Sequence, residues 1–184
     1  PIAEFDPHGS SGDCEFWLTV PKTGVRYTLY FPTISVIEVI GLWPAESLEP
    51  APLASTIWLA YGDSITHGWH NFDPGLTYPA ITSRNLGIDH YNLGFGGAAR
   101  GEASVASSLG SIPCDLITLA FGTNIMRIGW YDEATWRELF RTFIELVRLG
   151  HPDTPIAVIS PIFRTKGSGS LYDAMGDWSE RTPN

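Results

Sequence analysis

The sequence predicts an α/β fold: a three-layer α/β/α domain on a parallel sheet over residues 56–184, behind a linker at 43–55 and a β-rich segment at 1–42. Two observations carry this reading. From residue 56 onward, short apolar runs alternate with segments of helical period, and alternating strands and helices build parallel sheets with crossover helices. Before residue 43 the apolar side chains instead recur at every second position, the mark of half-buried strands. At 184 residues and 20.2 kDa, 43% of them hydrophobic and 17% charged, the chain can bury one full core.

The elements follow in order. CEFWLTV (14–20) places Phe16, Leu18 and Val20 on one face, and VRYTLYF (25–31) does the same with Val25, Tyr27, Leu29 and Phe31. PKTG joins them with turn residues. ISVIEVIGL (34–42) reads as a third strand. WPAESLEPAPLAS (43–55) has no period and carries Pro44, Pro50 and Pro52, so it reads as the linker. TIWLAYG is a short buried strand, LTYPAITSRNL a helix and HYNLGFGG a second strand running into a glycine turn. EASVASSLG is a short helix. CDLITLAFG is apolar on both faces, as a central parallel strand requires. In DEATWRELFRTFIELVRLG, Trp136, Leu139, Phe140, Phe143, Leu146 and Val147 recur at helical spacing, acids open the segment and Gly150 closes it. PIAVISPI is the fourth strand.

Bulk properties narrow the function. A net charge of −9 with eleven scattered basic residues opposes a nucleic-acid surface. No apolar run reaches the roughly 18 residues of a membrane-spanning helix, and no signal peptide is visible. Cys14 and Cys114 are too few for a disulfide framework and read as buried thiols.

Ligands of open parallel sheets bind beyond the carboxyl ends of the strands. There the sequence puts Gly62-Asp63-Ser64, then Gly94-Phe95-Gly96-Gly97, then Gly122-Thr123-Asn124. A hydroxyl, a glycine backbone and a side-chain amide on one rim are what acyl transfer needs: a nucleophile, and N–H donors for the developing oxyanion.

These stretches also carry a family resemblance. YGDSITHG resembles the first block of the GDSL, or SGNH, hydrolases; YNLGFGG is similar to the second and FGTN to the third, in matching order and spacing. The likeness covers residues 56 to about 162. HPDTPIAVISPI is similar to the fourth-strand segment of a bacterial branch whose hydrolase domain follows a β-sandwich, or jelly roll, and residues 14–40 resemble the tail of such a sandwich. The resemblance implies a flavodoxin-like α/β/α hydrolase domain and hydrolysis of a short-chain acyl ester, such as an acetylated carbohydrate, through an acyl-enzyme. It implies no metal or cofactor. Ser64 matches the nucleophile and contributes its own N–H to the oxyanion hole. Gly97 matches the second donor and Asn124 the third. The family's Asp-x-x-His block has no counterpart here: Asp6 to His8 is one residue short and Asp63 to His67 one residue long. The resemblance places that block beyond Asn184, so the chain as given is expected to lack its catalytic His and Asp.

Plainer roles stand beside these. Ser64 can cap a helix, Gly97 can serve a turn that needs positive φ, and Asn124 and Asp63 can brace loops. His67 and His70, three apart, would share a face if a helix ran through both and could then hold a metal, but no third ligand accompanies them. His151 reads as a surface-loop histidine at the opposite rim. Gly94-x-Gly96-x-x-Ala99 fits a dinucleotide fingerprint, yet it follows the second strand rather than the first. Thr66 stands where the G-x-S-x-G nucleophile elbow needs glycine. A degenerate hydrolase or carbohydrate-binding module, keeping the rim without turnover, is the non-enzymatic alternative.

Overall fold

A computed structural model describes residues 24–33, 36–44, 47–128 and 132–160. Among them β1 (Ile57–Gly62), β2 (Asp89–Gly94), β3 (Leu116–Ala120) and β4 (Ile156–Val158) form one parallel sheet in the order β2-β1-β3-β4. The helices are α1 (Ser64–His67), α2 (Tyr78–Leu86), α3 (Ala103–Leu109), α4 (Thr123–Ile128) and α5 (Glu133–Gly150), with a 3-10 turn at Pro74–Leu76 leading into α2.

Alternate strand residues face opposite sides of the sheet. On one side Leu59, Tyr61, Ile117 and Leu119 pack against Ala106 and Leu109 of α3 and Phe143 and Val147 of α5. Each large apolar side chain buried this completely contributes about 1.5–3 kcal/mol. On the other side Trp58 donates its indole N–H to Thr118 Oγ1 at 3.0 Å, and its ring lies 6.3 Å from that of Tyr78 in α2. Helices thus cover both faces, and the expected three layers are present. The chain steps from β1 outward to β2, then back across β1 to β3. This reversal opens a crevice between the carboxyl ends of β1 and β3, the usual ligand position in such sheets.

The long helix forms as its pattern dictates. The Asp132 carboxylate accepts from Thr135 N–H at 2.8 Å and caps the first turn of α5. Its apolar stripe meets the sheet through Phe143 and Val147. The helix ends on Gly150, where any side chain would collide with the backbone of Gly110 after α3.

Three expectations change. His151 is buried, not a surface residue: its Nε2 lies 3.1 Å from the Leu109 carbonyl and its Nδ1 lies 3.3 Å from Thr154 Oγ1. The Leu109 carbonyl at the end of α3 accepts from Ile112 N–H at 3.2 Å, and the imidazole meets the same oxygen. Cys114 is half-buried, and burial together with the neighbouring Asp115 carboxylate pushes its thiol pKa up, away from the reactive thiolate; Cys14 lies outside the described residues. The segments expected as strands at 25–31 and 34–42 show no strand pairing among their described residues. Period-two alternation fixes faces, but a strand also needs a hydrogen-bonded neighbour. The first expected strand, 14–20, lies outside the described residues. The linker stretch 43–55 is irregular wherever described, and Ala54 N–H ties it to Asp89 Oδ2 at 2.6 Å.

Tyr61 sits wholly inside the core, its ring stacked 5.2 Å from Phe143 and set edge-on 5.5 Å from Phe121. Burial, with the Glu102 and Asp63 charges adding, pushes its phenol far above the ordinary value, so it stays protonated. Among the described residues its hydroxyl has no hydrogen-bond partner. An unpaired buried hydroxyl is destabilising. Tyr61→Phe should therefore leave urea stability unchanged or raise it by about 1 kcal/mol; a loss of that size would reveal a hidden partner.

Candidate active site

Register brings the three motif-bearing strand ends level. Gly62 pairs with Gly94 on one side and with Ala120 on the other. The ladder continues beyond them through Phe95 N–H to the Gly62 carbonyl at 2.9 Å and Asp63 N–H to the Ala120 carbonyl at 3.3 Å. Neighbouring strands run about 4.8 Å apart, so Ser64, the 95–98 loop and Asn124 are gathered on one rim as the sequence predicts.

Ser64 is the first residue of α1, and the cap belongs to its neighbour. Asp63, buried and in extended conformation, accepts from Ile65 N–H at 2.9 Å through Oδ1. That is the bracing role read from the sequence, and it relieves Ser64 of capping. Ser64 is half-buried, and its Oγ makes no hydrogen bond among the described residues. Thr66, fully buried on the same helix, shares a 2.9 Å hydrogen bond with the Tyr78 hydroxyl and anchors α1 to α2.

Two glycines let α1 press onto the sheet. A Cβ on Gly62 would overlap the Thr66 hydroxyl, and one on Gly94 would overlap the backbone of His67. The second neighbour is main chain and cannot rotate aside. Gly94→Ala should cost about 1–3 kcal/mol through overpacking, read as a lowered urea midpoint at constant m-value; an unshifted midpoint would contradict the contact.

The 95–98 loop is tied along its length. Gly96 N–H donates to His67 Nδ1 at 3.2 Å, and Ala98 N–H to the Phe95 carbonyl at 3.1 Å. Gly97 has φ +72°, a left-handed conformation that favours glycine, and its carbonyl accepts from Arg100 at 2.9 Å. Asn124, buried in the first turn of α4, donates its side-chain N–H to the Ala98 carbonyl at 2.6 Å. An amide nitrogen carries two hydrogens, so one remains after this bond. The third block therefore touches the residue directly after the second.

The other candidates fall into place differently. Glu102 stands at the start of α3 without capping it; its carboxylate accepts instead from Arg100 N–H at 2.8 Å. A dinucleotide pyrophosphate would have to sit against that carboxylate, so the glycine pattern at Gly94, Gly96 and Ala99 is a turn that receives α1. Both ring nitrogens of His67 are engaged, Nδ1 by Gly96 and Nε2 by the Thr33 carbonyl. Among the described residues no set of three or more His, Cys, Asp or Glu side chains is placed to hold a metal. Nor is any helix there long and apolar enough to cross a membrane.

Comparison with known proteins agrees with this geometry. The model of the GDSL-like lipase/acylhydrolase family matches residues 56–173. The chain belongs to that family. Among solved structures it is similar to a salicylyl-acyltransferase, SsfX3, from a tetracycline biosynthetic pathway, at 26% identity and TM-score 0.59 over 76% of this chain and 41% of that one. A GDSL-like lipase from Bacteroides ovatus matches at 26% identity and TM-score 0.51, over 69% of this chain and 39% of that one. A family two carbohydrate esterase from Clostridium thermocellum, solved with cellohexaose, shares the fold at 17% identity and TM-score 0.56, over 72% of this chain and 50% of that one. The chain thus spans about two fifths of the first two chains. No curated protein matches it.

Proposed function

We propose that this GDSL-family protein hydrolyses a carboxylic ester through an acyl-enzyme on Ser64. One observation carries the reading: register sets a serine relieved of capping, a glycine loop with Gly97 in the left-handed region, and the Asn124 amide on adjacent strand ends. Ser64 Oγ attacks the acyl carbonyl. The backbone N–H groups of Ser64 and Gly97 and the free hydrogen of the Asn124 amide receive the oxyanion. The alcohol leaves, and water releases the acid. The base that takes the serine proton is assigned, by family resemblance, to the histidine of an Asp-x-x-His block, which residues 1–184 do not contain; the N-terminal segment is assigned to a β-sandwich on the same ground.

For the substrate we favour a short acyl chain, with an acetylated carbohydrate as the leading class. Family resemblance and the fold shared with the carbohydrate esterase support it. An acyl-enzyme can also pass its acyl group to an alcohol, and similarity to the salicylyl-acyltransferase makes that the second reading. The test mixes full-length protein with p-nitrophenyl acetate. A p-nitrophenol burst matching the enzyme concentration, then steady turnover, is expected. Turnover without a serine adduct would reject the mechanism, and turnover accelerated by added alcohol with no extra acid formed would favour transfer.

A further inference from the structure

We propose that His67 is a positioning residue that fixes the oxyanion loop from α1 and couples it to the N-terminal segment. The inference rests on the reading of Gly97 N–H as an oxyanion donor and adds what holds that donor in place.

The geometry is specific. His67 Nε2 meets the Thr33 carbonyl, which can only accept, so the proton sits on Nε2. Nδ1 then carries the lone pair and accepts from Gly96 N–H at 3.2 Å. Thr33 thereby sets the tautomer that Gly96 requires, across 34 residues of sequence. The other side of Gly96 is closed by Trp69, since a Cβ there would stand 2.7 Å from the indole ring. The Trp69 ring lies 5.7 Å from the His67 ring, centroid to centroid, and the Trp69 backbone N–H donates to the Ser64 carbonyl at 2.9 Å. His67 at the end of the nucleophile's helix therefore holds Gly96 at its N–H, and Trp69, two residues beyond the helix, closes its other side.

Gly96 and Gly97 are the freest backbone pair the loop could have. Phe95 is tied by the β1 ladder, Gly97 by Arg100 and Ala98 by Asn124. Gly96 N–H is tied by His67. Without that bond, the peptide joining Phe95 to Gly96 can rotate, and the Gly97 N–H, set one residue further along this glycine pair, loses its aim. Because both imidazole nitrogens are occupied, His67 has no lone pair left to serve as general base.

Three substitutions separate the roles. Asn can place its carbonyl oxygen where Nδ1 stands, keeping the acceptor for Gly96 but not reaching Thr33. Gln can reach Thr33 but loses the short acceptor, and Leu loses both. With p-nitrophenyl acetate, His67→Asn should stay within about threefold of wild-type kcat, while His67→Gln and His67→Leu should fall about 10- to 100-fold with KM within about twofold, as for small misplacements of catalytic groups. A Gln variant at wild-type rate beside an impaired Asn variant would show that only the Thr33 contact matters, and would overturn the proposal. Equal loss in all three, or loss in none, would overturn it as well. Amide hydrogen exchange in the unmutated protein gives a reading independent of variant folding: the exposed Gly96 N–H should be protected, and free exchange there would refute the bond. Wild-type protein that forms no fluorophosphonate adduct at all would instead show that the serine reading itself is wrong.

Discussion

Ser64→Ala should lower kcat on an activated acetyl ester by about 10⁴- to 10⁶-fold, the scale seen when a serine hydrolase loses its nucleophile. The loss should come without unfolding. Asp63, not Ser64, caps α1, through its 2.9 Å bond to Ile65 N–H. Thr66 anchors the same helix through the Tyr78 hydroxyl. Neither contact uses the serine side chain, so stability should move by no more than about 0.5 kcal/mol. A variant that retains a tenth of the activity, or that melts well below the parent, would contradict this division of labour within Gly62-Asp63-Ser64.

Asn124→Ala should lower kcat about 10²- to 10³-fold with KM little changed, as when one oxyanion donor is removed. A bond that strengthens only as charge develops on the carbonyl oxygen leaves substrate binding nearly alone. The Asn124 amide already gives one hydrogen to the Ala98 carbonyl at 2.6 Å, which fixes the direction of the other. Asn124→Asp sharpens the test. It keeps the shape but faces a carboxylate toward both the Ala98 carbonyl and the oxyanion, so its loss should be at least as large. A defect confined to KM, or an Asp variant more active than the Ala variant, would mean that Asn124 only braces the loop.

Much of this was legible in the sequence because it is local. Apolar runs of five or six residues gave β1 and β3, and the 3.6-residue recurrence from Trp136 to Val147 gave α5. The three glycine-bearing turns sit directly behind strands, so locating the strands located the rim. What stayed hidden depends on partners far away in the chain. The alternation at 25–31 shows two faces, but whether a neighbour pairs with them is not a local property. Helix α4 hid because Phe-Gly-Thr-Asn looks like a turn, and its first turn carries the buried Asn124. His151 precedes a strand, which locally marks a loop at the far rim, whereas its contact with a carbonyl 42 residues earlier is not a local property. The engagement of His67 was illegible for the same reason, since its contacts lie 34 residues before it and 29 after. The one available signal was a histidine inside the nucleophile's own block, three residues beyond Ser64.

The central claim, a serine nucleophile presented behind β1, is tested most directly by trapping it. Full-length protein treated with a fluorophosphonate probe should gain one adduct by intact mass, and peptide mapping should place it on Ser64. An adduct on any other residue, or continued ester hydrolysis by protein that takes up no probe, would contradict the account.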